Sequence, residues 1–107
     1  GEMIISKNAY ISEILRRREK QIIKRIQRQK SIPFLYCVTL PLWKSAFLEI
    51  YEYDELLSDF YQGENIVVVG LAAGREDALV MTKRIVQDLA GADQMKEAVE
   101  YFCGEES

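Results

Sequence analysis

The stretch Asn65-Ile66-Val67-Val68-Val69-Gly70-Leu71-Ala72-Ala73-Gly74-Arg75-Glu76-Asp77-Ala78-Leu79 carries the reading of the fold. Four consecutive β-formers, Ile66 to Val69, are the pattern of a strand covered on both faces. Gly74 then turns the chain, and the acids Glu76 and Asp77 open a helix whose dipole they complement. Its apolar positions Ala78, Leu79, Ile85, Val86 and Leu89 share one face, and Gly91 closes it after Ala90. A strand passing through a glycine turn into an amphipathic helix is a building unit of α/β proteins.

Working outward, Pro33 to Leu40 is rich in β-branched and aromatic residues and stops at Pro41, so it reads as a strand. It lacks clean alternation, which means that both its faces are covered. Phe47 to Tyr53 reads as a short strand followed by a helix from Asp54 that ends at Gln62-Gly63; one helix over Leu48 to Tyr61 is the alternative. Downstream, Met95, Ala98, Val99 and Phe102 have helical spacing, with Asp93 as cap. A connection containing a helix joins the Pro33 strand to the Asn65 strand, which predicts parallel neighbours with a right-handed crossover.

Ser6 to Gln29 reads as one long helix, with Ser6 or Asn8 as N-cap and Pro33 barring continuation. Ile11, Leu15, Ile22 and Ile26 fall within about 60° of one another, Ile14 and Ile23 lie on the margins, and Glu13, Arg17, Lys20, Lys24 and Arg28 crowd the opposite side. The expected fold class is α/β: a small sandwich with a two- to four-stranded, at least partly parallel sheet, a long N-terminal basic helix and two C-terminal helices. It forms one domain, divided into the basic helix (1–31), the α/β core (32–103) and a polar tail (104–107).

Charge divides along the same line. From Glu2 to Lys30 nine Lys/Arg stand against three acids, a net of +6, while from Ser31 to Ser107 five basic residues stand against fourteen acids, a net of −9. Such a separation points to a partner for the basic arm, whether nucleic acid, a membrane surface or an acidic face of another copy, without choosing among them. The natural occupant is the acidic face of its own globule or of a second copy, through Glu49, Tyr51, Glu52, Tyr53, Asp54, Glu55, Asp59 and Tyr61. Paired carboxylates for acid/base work, or a hard cation site, would require convergence that a plain strand or helix does not supply.

Several classes are excluded. With 107 residues, 49% hydrophobic and 29% charged, the chain is an ordinary globular domain. Its apolar runs fall far short of the ~20 residues that span a bilayer, and it lacks a signal-peptide pattern, so a cytoplasmic protein is expected. Cys37 and Cys103, 66 positions apart in a chain without histidine, lack the spacing of a zinc site and read as reduced thiols, Cys37 in the core. Without histidine, a Ser or Cys nucleophile would need Lys, Asp or Glu as base, and neither Ser-x-x-Lys nor Gly-x-Ser-x-Gly occurs. The Gly70 to Gly74 turn has neither G-x-G-x-x-G nor Gly-Lys-Ser/Thr, and Glu76 and Asp77 repel an anion. No cofactor or metal is expected.

Val68-x-Gly70-Leu71-Ala72-x-Gly74, followed by acids and Ala78-Leu79, resembles a turn in a family of small uncharacterised bacterial α/β proteins. The likeness runs from Phe34 to Leu89 through Leu40-Pro41, Leu48-Glu49-Ile50, Glu55-Leu56-Leu57 and Phe60-Tyr61. It implies an α/β fold and carries no activity.

The function expected is a non-enzymatic protein-interaction or self-assembly module, a homodimer whose contact uses Ile11, Leu15, Arg16, Arg17, Lys20, Ile22, Lys24, Ile26 and Arg28. The first alternative is a nucleic-acid-associated accessory protein using the same helix, through salt-sensitive phosphate contacts. The second is a small-ligand sensor with its pocket at Pro41, Trp43, Gly70, Gly74 and Arg75, by analogy with other open α/β sheets.

Overall fold

The computed structural model describes residues 1–42, 47–89 and 94–104. The chain order is β1 (Met3–Ile11), a 3-10 turn (Glu13–Arg18), α1 (Glu19–Gln27), β2 (Leu35–Thr39), β3 (Glu49–Glu52), α2 (Tyr53–Leu56), a 3-10 turn (Asp59–Tyr61), β4 (Ile66–Ala73), α3 (Arg75–Asp88) and α4 (Gln94–Cys103). The four strands form one mixed sheet in the order β1-β4-β2-β3. Expectations placed on Trp43, Gly91, Asp93 and residues 105–107 lie outside the described residues.

Helical layers cover both faces of the sheet. On one, Leu35, Cys37, Ile66, Val68 and Leu71 pack against Leu15, Ile22 and Ile26 of the N-terminal arm and against Tyr53, Leu56 and Tyr61. On the other, Val38, Val69 and Ala72 pack against Ala78, Met81 and Ile85 of α3 and Ala98 and Phe102 of α4. Burial on both sides is why β2 and β4 lack alternation. The helix after Gly74 buries Ala78, Met81 and Ile85, while Leu79 stays 41% exposed, one residue out of phase with the expected stripe. Gly74 has φ +97°, open to glycine at little steric cost. Asp77 Oδ2 accepts from the Ala73 amide at 2.9 Å, so the first turn of the helix holds the residue that precedes its glycine cap.

Two expectations are corrected. The long basic helix from Ser6 is not formed, because residues 3–11 are a strand paired in parallel with β4, Met3 beside Ile66 and Ile5 beside Val68. Helix begins only after Ser12, whose Oγ accepts from the Ile14 amide at 3.2 Å. The run Met3-Ile4-Ile5 suits a pleated surface as well as a helix face, and pairing with Ile66–Val68 satisfies its backbone at the same time. Second, β2 and β4 are neighbours but antiparallel. The β2-β3 hairpin reverses the chain before α2 carries it back across β2, leaving the parallel relation to β1 and β4.

The pairing of β1 slips between Ile5 and Tyr10, where five steps along β1 match two along β4. The bulged residues secure α4: Ser6 Oγ donates to the Phe102 carbonyl and Asn8 Nδ2 to the Tyr101 carbonyl, each at 2.7 Å. These are carbonyls of the last helical turn, which have no partner inside the helix. The radius of gyration, 13.1 Å, matches the ~13 Å of a compact domain of this length. The arm therefore lies on the globule rather than projecting from it.

Candidate functional site

β1 is an edge strand, with β4 on one side only. A groove of about 670 Å³ runs along β1, bounded by every residue from Gly1 to Lys7 and by Glu64 and Ile66 at the start of β4. Ile23 and Ile26 of α1, Leu56 and Leu57 after α2, and Tyr61 form the opposite side. Ile4 beside it is 50% exposed. At this wall Tyr61 Oη donates to Glu55 Oε2 at 3.4 Å, and burial, with Glu55 nearby, raises its pKa above the usual tyrosine value. A groove of mixed polar and apolar lining beside an unpaired strand edge has the form of a strand-accepting site.

The residues expected to contact a partner divide by face. Leu15, Ile22 and Ile26 are buried beneath the arm, and Ile11 is a β1 residue packed against the same core. Their seam is occupied by the protein's own sheet, so they do not form an open helix-pairing surface. Arg16, Arg17, Lys20, Lys24 and Arg28 all face solvent. Among the described residues, the arm's one ion pair lies within the arm, Arg16 Nε to Glu13 Oε2 at 3.7 Å. Arg25 donates to the Ser31 carbonyl at 2.9 Å. Arm and globule meet through apolar packing, and the cations are left outward.

The expected ligand pocket does not assemble. Leu40 donates its amide to Val67 and Gly74 donates to Phe34, which sets Pro41 and the Gly74-Arg75 turn at opposite ends of the antiparallel β2-β4 pair. Seven strand residues, about 23 Å, separate them. Gly70 lies between and is enclosed, because a Cβ there would stand 2.5 Å from Met81 Sδ. Trp43 lies outside the described residues. The physical reason is the reversed direction of β2: the C-terminal ends of β2 and β4 do not coincide.

The acidic residues are dispersed as structural acceptors. Glu49 Oε1 accepts from the Leu42 amide and Tyr51 Oη, at 2.8 and 2.9 Å. Asp54 takes the Ser31 hydroxyl at 2.6 Å and the Ile32 amide at 2.7 Å, tying the end of the arm to α2. Glu52 accepts from Tyr36 Oη on the other face at 3.2 Å. Among the described residues, no three His, Cys, Asp or Glu are grouped to hold a metal ion, and no helix is long and apolar enough to cross a membrane.

Sequence reasoning missed the groove. Its signal was present in Met3-Ile4-Ile5, an apolar run between Glu2 and Lys7, but β1's edge position depends on pairing with residues more than 60 positions away. Comparison with protein-family models, curated proteins and solved structures finds no match.

Proposed function

We propose that the chain is a non-enzymatic protein-interaction module that assembles as a homodimer through the Met3–Ile5 edge of β1. The supporting observation is the conjunction of an unpaired strand edge, a groove of about 670 Å³ along that strand and a half-exposed Ile4 among its lining residues. An added strand gains main-chain hydrogen bonds from the edge and places alternate side chains in the groove. A second copy supplies such a strand. A two-fold axis at Ile4, perpendicular to the sheet, sets Ile4 against Ile4 of the second copy and Met3 against Ile5, keeping each side chain on its own face of a continuous antiparallel ladder. The bulge that begins at Ser6 and the charge of Lys7 confine pairing to the first half of β1.

Light scattering over about 1 to 500 µM protein is expected to show a rise from monomer to dimer mass, as mass action requires. Ile4→Lys puts a charge on the edge and removes little buried surface, so it should hold the chain monomeric with the thermal midpoint of the dilute wild-type monomer. A wild-type chain that stays monomeric throughout, or an Ile4→Lys chain that still dimerises, contradicts the proposal.

A further inference from the structure

The outer surface of the arm carries a row of cations that the β1 contact does not use. Arg17, Lys20, Lys24 and Arg28 are all exposed. Lys20, Lys24 and Arg28 follow at intervals of four, about 6 Å each along the helix axis, and Arg17 precedes Lys20 by about the same rise in the 3-10 turn. Beneath them Leu15, Ile22 and Ile26 are 2%, 3% and 7% exposed, so the helix cannot roll and the row is held in place. No acid among the described residues pairs with any of the four; the acid that pairs in this region, Glu13, is taken by Arg16.

We infer that this row is a binding surface for the phosphate backbone of duplex nucleic acid, read without base specificity. Protein interfaces are anchored by aromatic or apolar side chains in a core depleted of Lys. Between Arg17 and Arg28 the other exposed residues are Arg18, Gln21, Arg25 and Gln27, with no aromatic or apolar side chain among them. A line of cations about 18 Å long runs beside roughly five phosphates of one strand at 3.4 Å each. It lacks the aromatic platforms on which single-stranded bases stack. It also lacks the bulky apolar face that a helix needs to sit in a lipid interface. Glu49, Glu52 and Asp54 of β3 and α2 hold hydrogen-bond partners of their own.

The test is fluorescence anisotropy of a labelled duplex of about 20 base pairs with the full chain, at about 50 to 200 mM salt. Three to four phosphate contacts predict a slope of log affinity against log salt near −3 to −4, which is about a 100-fold loss over that range. Lys20→Gln with Lys24→Gln and Arg28→Gln should bring the slope to about −1 and the loss to about fourfold. Circular dichroism should show that triple variant folded, since all three side chains are exposed. Lys83→Gln, an exposed cation of α3, should leave the slope unchanged. The inference is overturned by no binding at the lowest salt, by an effect of Lys83→Gln equal to that of Lys24→Gln, or by polyglutamate or anionic vesicles bound as tightly as the duplex. None of these outcomes depends on whether β1 dimerises, because Ile4→Lys should retain the binding.

Discussion

Tyr53 and Thr39 are each 0% exposed, and their hydroxyls meet no hydrogen-bond partner among the described residues. An enclosed, unpaired hydroxyl costs about 1–3 kcal/mol, so Tyr53→Phe is expected to be neutral or stabilising by about 1 kcal/mol in urea titration. A loss of stability would mean that the hydroxyl has a partner. Cys37 lies beside Tyr53 in the same core. Burial pushes its thiol up from 9.0 to about 12, and burial, followed by Cys37 and Asp54, pushes the Tyr53 phenol up from 10.0 to about 12. The folded chain thus keeps two protons that the unfolded chain releases at lower pH. Their contribution is fully present below about pH 9 and declines as pH rises through the interval up to about 12. Urea midpoints should therefore fall steadily above pH 9, and a flat profile to pH 11 would count against this. Thiol titration of the native chain should find Cys103, which is exposed, reacting at once and Cys37 only on unfolding.

Among the elements, those defined by local pattern were legible and those defined by distant pairing were not. Ile66–Val69, the Gly74 turn and the helix after it follow from residues within a few positions of one another. The same holds for the short β3 strand and the helical turn after it. β1 was not legible, because Ile11 falls in one helical repeat with Leu15, Ile22 and Ile26. The decision is made by Ile66–Val68, which offer Met3–Ile5 a ladder. The antiparallel direction of β2 was hidden for a related reason: a crossover read from one helix passes over the intervening hairpin. This topology makes the arm structural. The chain end of α1 is fixed through Asp54, which holds both Ser31 and Ile32, so Asp54→Ala should cost about 1–3 kcal/mol by leaving the Ile32 amide without its acceptor. Thermal unfolding measures this, and an unchanged midpoint would show the tether to be idle. Removing residues 1–30 would take away an edge strand together with Leu15, Ile22 and Ile26 of the core, and is expected to unfold the chain.

At the scale of the molecule, the strong charge asymmetry reads differently once the fold is present. The +6 arm does not neutralise the acidic globule; its apolar side docks and its basic side is displayed. In a dimer joined at β1 about an axis perpendicular to the sheet, the arm layers of both copies lie on the same side of an eight-stranded sheet. Two cationic rows then face one way, which like-charge repulsion opposes and a bridging polyanion favours. Assembly is consequently expected to weaken as salt is lowered without duplex and to strengthen on adding duplex, measurable by sedimentation. The most direct test of the account is amide hydrogen exchange in β1 at about 10 and 500 µM protein, where protection follows hydrogen bonding at each residue. Pairing through the edge predicts that exchange at Met3 and Ile5, which alternate with the Glu2 and Ile4 positions turned to β4, slows at the higher concentration while β4 amides keep their rates. Identical exchange at Met3 and Ile5 at both concentrations would contradict it.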